Sequence, residues 1–206
     1  MNKMILKGNE VPKLKGLILA GGKSTRMGHN KEQIEWHGKE QKYYAADLLS
    51  QFCSEVYISC RQDQMQQIAE GYKGLSDNFI GMGPTGGILT ALRSDREVAW
   101  LVIACDLPLV DESILKNLVE NRNPEKIATT YNSPFDGLPE PLITIWEPDS
   151  YPILLEYLGK GKTCPRKVLI NTDCLILEPE QPQKLMNVNT PQDLEEAKQY
   201  LSKKML

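Results

Sequence analysis

The sequence predicts a three-layer α/β fold with a largely parallel sheet. Two observations carry this: short apolar runs that read as buried strands alternate with segments of helical spacing, and two glycine-rich stretches lie among them. A third bears on domain organisation. The 206 residues contain no internal repeat and no low-complexity linker, and a prior of roughly 150 residues per domain favours a single domain. That domain is expected to span 1–206, with 1–13 as an N-terminal extension.

Residues 17–20 (LILA) are the first apolar run and end in Gly21-Gly22. After a polar stretch through Gly38, Tyr44, Ala45, Leu48, Leu49 and Phe52 fall at helical spacing. Residues 56–59 read as a second strand, and the Gln-rich stretch 62–70 as an exposed helix. Gly81, Gly83, Pro84, Gly86 and Gly87 then form a second glycine loop, leading into a helix that carries Ile88, Leu89 and Leu92. Residues 100–104 are the most apolar strand and run into Cys105-Asp106. Asp111 is placed to cap a helix whose buried side is Ile114, Leu115, Leu118 and Val119. Residues 142–146 and 175–177 are short strand candidates, with a helix near 153–158. Near the end, Thr190 is an N-cap, Pro191 the first helical residue, and Leu194, Ala197 and Leu201 lie along one face.

Composition excludes several functions. A net charge of −3 and no long basic stripe argue against a general nucleic-acid binder. Met4, Ile5 and Leu6 are too few for a signal peptide or a membrane span, so a cytoplasmic protein with no membrane partner is expected. Cys53, Cys60, Cys105, Cys164 and Cys174 form no CxxC pair, and the histidines are His29 and His37. Odd count and irregular spacing read as reduced, mostly packing thiols without structural zinc. No Ser-His-Asp or Cys-His arrangement supports covalent hydrolysis.

The stretch LILAGGKSTRMG (17–28) contains GKST, the tail of a P-loop. A P-loop needs glycine five residues before the Gly of GK[ST], and Leu17 occupies that place. The dinucleotide fingerprint GxGxxG fails as well, because Gly21 and Gly22 are adjacent and the next glycine is Gly28. What remains is a strand delivering two glycines to the sheet rim, where backbone N–H groups can approach phosphate oxygens. Lys23, Arg26 and Lys31 follow closely, and together these features favour phosphate binding over a solvated turn. Ligands of open α/β sheets bind beyond the carboxyl ends of the strands, so Asp106 is a candidate Mg²⁺ ligand. By position alone it is equally a turn residue before Pro108. Asp77 in LSDNF reads equally as a turn former, and Asn187 and Asn189 as turn and capping residues before Thr190-Pro191.

LILAGGKSTRMG with Lys31, GPTGGI (83–88), ACDLPLV (104–110) and NVNTPQDL (187–194), in that order, resemble the molybdenum cofactor guanylyltransferase family of MobA-like nucleotidyltransferases. The resemblance runs over nearly the whole chain. It implies a Rossmann-like nucleotidyltransferase fold and transfer of GMP from GTP to molybdopterin carrying molybdenum, with release of pyrophosphate. It further implies that Leu19, Ala20 and Gly21 line the guanine and ribose side, with Gly22 and Arg26 near the triphosphate. Lys31 would bind phosphate, Asp77 would help hold the nucleotide, Asp106 would bind Mg²⁺, and Asn187 and Asn189 would lie near the metal and the acceptor phosphate. Arg26, Lys31 and Asp106 are thus the implied catalytic residues. Other molybdenum-cofactor biosynthesis proteins or recipient apo-enzymes are the implied protein partners.

Three departures from the family pattern stand out. Asn30 replaces an acidic residue before Lys31, GPTGGI replaces GPLAGI, and Cys60 replaces an asparagine before Arg61. Two alternatives stand beside the leading one: a nucleotidyltransferase of the same fold using CTP or UTP with another phosphorylated acceptor, or a nucleotide-binding protein that has lost catalysis.

Overall fold

The computed structural model describes residues 11–20 and 35–204. Its elements in chain order are β1 (Leu14–Leu19), α1 (Gln41–Leu49), β2 (Val56–Cys60), β3 (Lys73–Ser76), α2 (Pro84–Ser94), β4 (Ala99–Ala104), α3 (Glu112–Glu120), β5 (Ala128–Asn132), β6 (Pro139–Trp146), α4 (Ser150–Gly159), α5 (Pro165–Ile170), β7 (Leu175–Leu177) and α6 (Pro191–Lys204). Short 3₁₀ turns lie at Gln62–Gln67 and Pro182–Leu185. The strands form one sheet in the order β3-β2-β1-β4-β6-β5-β7. All run parallel except β6, which pairs antiparallel with both β4 and β5.

Alternation along the central strands sets the three layers, because successive side chains leave a strand on opposite faces. Ile18, Leu101 and Ile103 meet Leu49 of α1 and Leu115 and Leu118 of α3 on one face. Leu17, Trp100 and Val102 meet Ile88, Leu89 and Leu92 of α2, Leu154 of α4 and Val168 of α5 on the other. Every position of β4 is buried, which is why it reads as a continuous apolar run. A third cluster, Leu109, Met186, Val188 and Ala197, seats α6 against the segment after β4.

The helix caps expected from sequence form. The Asp111 carboxylate accepts the Ser113 and Ile114 N–H groups. Thr190 Oγ1 accepts the Asp193 N–H at 3.2 Å, and Asp193 accepts the Thr190 N–H at 2.9 Å. Such reciprocal bonding satisfies donors that a helix start leaves open.

Several expectations change. The first strand begins earlier, at Leu14, and the first helix stops at Leu49, leaving Phe52 in the following turn. The stretch 62–70 forms only a 3₁₀ turn over Gln62–Gln67. Its apolar residues Met65 and Ile68 are three apart and both pack onto Gly74, a spacing that suits three residues per turn. The second glycine stretch is not all loop, since α2 starts at Pro84 and takes in Gly86 and Gly87.

All five cysteines are free thiols. Burial pushes the Cys53 thiol up to about 12, which keeps it protonated and suits a packing role. No helix among the described residues is long and apolar enough to cross a membrane.

Near the amino ends of the strands, Lys15 lies 2.8 Å from Glu55 and 2.9 Å from Asp95, while Lys73 reaches Glu55 at 2.5 Å. Hydrogen bonds from Lys15, then Lys73, bring the Glu55 carboxyl down from 4.5 to about 2. A carboxyl held low in the folded chain contributes stability that is present above its unfolded value and is lost as pH falls through its folded value. Glu55→Gln is therefore expected to flatten the stability curve between about pH 4.5 and 2. Denaturant titrations at stepped pH check this; an acid limb as steep as in the parent chain would count against it.

Candidate active site

The sheet order reverses between β1 and β4, and in open α/β sheets the crevice beyond the strand ends at such a switch point receives ligands. Ala20 leaves β1 there, and the Cys105 N–H donates to the Leu19 carbonyl at 3.2 Å, holding the two strand ends together. Gly21, Gly22, Arg26 and Lys31, with Lys23 and Asn30, fall outside the described residues. The chain is described again from Glu35, and His37 Nε2 lies 3.0 Å from the Pro108 carbonyl with its ring stacked on Tyr44. The described residues on either side of 21–34, Ala20 and His37, thus both lie near the rim.

Asp106 follows β4, and the Val188 N–H donates to its carbonyl at 2.8 Å. That bond brings Asn187 and Asn189 beside Asp106, although they are far away in sequence. Asn187 Oδ1 is buried and accepts no hydrogen bond from the described residues. The Asn189 N–H donates to Asp193 at 2.9 Å, so its backbone serves the helix cap.

Sequence reasoning missed two further groups at this rim. Because β6 runs antiparallel, it begins where β4 ends, and this places Glu140 at the same edge as Asp106. Glu140 is 2% exposed; its Oε1 accepts the Leu142 N–H at 3.1 Å and its Oε2 accepts from Arg166 at 3.0 Å. Arg166 also reaches Asp136 at 2.5 Å, clasping the β5–β6 turn to α5. Burial pushes the Glu140 carboxyl up, opposed by the Leu142 N–H and Arg166 and assisted by the negative charges of Asp106 and Asp136. The signal for Glu140 lies in strand direction, which local composition does not encode.

On the other side of β1, α2 packs very closely. A Cβ at Gly87 would stand 2.6 Å from Leu19 Cδ2 and 2.9 Å from Ser59 Oγ. One at Gly86 would stand 2.5 Å from the Phe79 carbonyl and 2.8 Å from Asp77 Oδ2. Gly86 is the position at which GPTGGI departs from GPLAGI, and here it is filled by neighbouring backbone and carboxylate. Thr85, the other departure, is 2% exposed and donates to the Thr163 carbonyl at 2.7 Å, tying α2 to the loop before α5. Cys60 is buried with its sulfur 3.4 Å from Met65 Sδ, under the 3₁₀ turn.

Among the described residues no group of three or more His, Cys, Asp or Glu is gathered to hold a metal. The donors near Asp106 are oxygens: its carboxylate and the buried Asn187 amide oxygen. Few protein oxygens suit Mg²⁺, which keeps several waters and shares substrate phosphates, so the residues present fit that ion.

A mostly parallel sheet with its switch point between β1 and β4, with an acid and a buried amide oxygen beyond β4, defines an open α/β protein whose ligand site lies at that rim. The chain belongs to the MobA-like NTP transferase domain family, which matches residues 16–175. A Synechocystis sp. protein named molybdenum cofactor biosynthesis bifunctional protein is 36% identical over 181 residues, covering 87% of this chain and 52% of its own length, so the chain spans about half of that relative. A Carboxydothermus hydrogenoformans protein named probable molybdenum cofactor guanylyltransferase is 31% identical over 194 residues, covering 91% of this chain and 96% of its own. Among solved structures, molybdopterin-guanine dinucleotide biosynthesis protein A from Archaeoglobus fulgidus superposes with a TM-score of 0.76 at 24% identity, over 92% of this chain and 99% of that one. That likeness establishes the fold.

Proposed function

We propose that this chain is a molybdenum cofactor guanylyltransferase, transferring GMP from GTP to molybdopterin that carries molybdenum. The observation that carries the reading is the Val188–Asp106 bond, which sets the NVN segment beside the acid beyond β4. Family membership and the names of relatives aligned over most of the chain support it.

The terminal phosphate of the acceptor attacks the α-phosphorus of GTP, a new P–O bond forms, and the bond to the departing pyrophosphate breaks. The nucleophile is already anionic, so no general base is needed; positioning and charge stabilisation do the work. On this reading Leu19, Ala20, Gly21 and Asp77 are assigned to the nucleoside part, and Gly22, Arg26 and Lys31 to the phosphates. Asp106 and Asn187 would hold Mg²⁺, and when bound the ion would supply positive charge to the phosphates. Asn189 stands on the acceptor side. The cations offset the repulsion between the two anionic substrates.

Pyrophosphate release from purified protein with Mg²⁺, molybdopterin carrying molybdenum and each of GTP, ATP, CTP and UTP tests this. Turnover is expected with GTP alone. Preferred turnover with CTP or UTP would replace the reading with another transferase of this fold, and binding without turnover would make the chain a nucleotide binder.

A further inference from the structure

Asp77 stands directly past β3, and its two carboxylate oxygens have different surroundings. Oδ1 accepts the Phe79 N–H at 2.8 Å and the Thr90 hydroxyl at 3.0 Å. The same Thr90 oxygen accepts the Asn78 N–H at 3.0 Å. Thr90 is 1% exposed and lies one helical turn after Gly86, on the same face of α2. A helical threonine hydroxyl commonly turns back to a carbonyl of the preceding turn; here its single proton goes to a carboxylate outside the helix. Oδ2 takes no donor among the described residues and rests against Gly86, where a Cβ would come within 2.8 Å of it. The carboxylate is therefore fixed from one side by two donors and seated on bare backbone, with one oxygen left to accept a hydrogen bond.

We propose that Thr90 is a positioning residue for nucleotide binding: its buried hydroxyl orients Asp77 so that Oδ2 is presented to a hydrogen-bond donor of the bound GTP. This rests on the assignment of Asp77 to the nucleotide. An oriented carboxylate accepts strong, directional bonds, and one free to rotate must be ordered on each binding event. Gly86 completes the arrangement by removing the methyl group that would push the carboxylate away. The effect belongs to binding, so it falls on KM and Kd with kcat nearly unchanged.

The test uses the full chain with Thr90→Val, Thr90→Ser, Asp77→Asn and the double variant Thr90→Val/Asp77→Asn. Calorimetric titration with GTP and Mg²⁺ gives Kd, and pyrophosphate release gives KM and kcat. Thr90→Val is expected to weaken GTP about tenfold, the scale of a hydrogen bond to a charged group. Thr90→Ser should restore affinity to within about twofold, and Thr90→Val should add nothing once Asp77 is already Asn. Parent-like affinity in Thr90→Val, alongside a loss in Asp77→Asn, would overturn the role of Thr90 while leaving Asp77 in place. Parent-like affinity in Asp77→Asn would instead overturn the assignment on which the proposal rests. Further weakening by Thr90→Val in the Asp77→Asn chain would reduce Thr90 to packing. Should Thr90→Val not fold, Thr90→Ala against Thr90→Ser provides the same comparison.

Discussion

Asp106→Asn is expected to lower GTP-dependent turnover on the order of 100- to 1,000-fold, the scale of removing one preorganised charge-stabilising group. The replacement keeps the shape of the side chain and leaves the backbone carbonyl that accepts the Val188 N–H at 2.8 Å. The fold should therefore survive, with a melting temperature close to that of the parent. What goes is the negative charge on a short rim where the other described oxygens nearby include the neutral Asn187 amide. Mg²⁺ binds through carboxylates together with substrate phosphates, so raising Mg²⁺ should recover part of the loss. Turnover against Mg²⁺ concentration, read with thermal melting, decides the matter. Near-normal turnover in Asp106→Asn would remove this residue from the mechanism.

Arg122→Ala is expected to cost about 3–5 kcal/mol of stability, because it leaves a buried charge without its partner. Arg122 donates to Glu147 through Nε at 2.6 Å and Nη2 at 2.8 Å, and its Nη1 donates to the Pro12 carbonyl at 2.9 Å. Glu147 is 1% exposed, so its carboxylate depends on the guanidinium rather than on bulk water for its partner. The pair joins the end of α3 to the residue after β6 and to the chain entering β1. For a chain of this size the loss corresponds to a fall in melting temperature of about 6–20 °C. Replacing both partners by apolar residues should recover much of it, because the stranded charge is then gone. A loss below about 1 kcal/mol for Arg122→Ala would show that the pair contributes no more than a surface contact.

Much of the frame was legible from the residues. The apolar runs before Gly21 and Cys105, the Asp111 cap and the Thr190–Asp193 cap all appear close to where the pattern put them. These are short-range features, fixed by side-chain alternation or by a polar atom reaching a neighbouring N–H. Three elements were not legible. β3 (KGLS) is short and polar, α5 is six residues long, and β5 (ATTYN) buries two threonines where an apolar signal would be sought. Those threonines are buried because the tertiary structure supplies partners: the Thr129 hydroxyl oxygen accepts the Asn123 N–H at 3.0 Å, and the Thr130 hydroxyl lies 2.8 Å from that of Thr144 in β6, with each of this last pair 2.7 Å from the Glu140 carbonyl. A buried hydroxyl is tolerated once it is bonded, so composition alone points the wrong way.

By itself the sequence determined the α/β class, the glycine-ended first strand and the acid beyond the most apolar strand, since each is written in consecutive residues. Only the tertiary structure decided which distant groups share the rim. The antiparallel course of β6 brings Glu140 and Arg166 to the edge of Asp106, and the Val188 bond brings Asn187 there too. The packing of α2 sets Thr90 and Gly86 against Asp77. The physical reason is that strand direction, register and close helix approach arise from burying two faces of one sheet at once, and no local stretch carries that constraint.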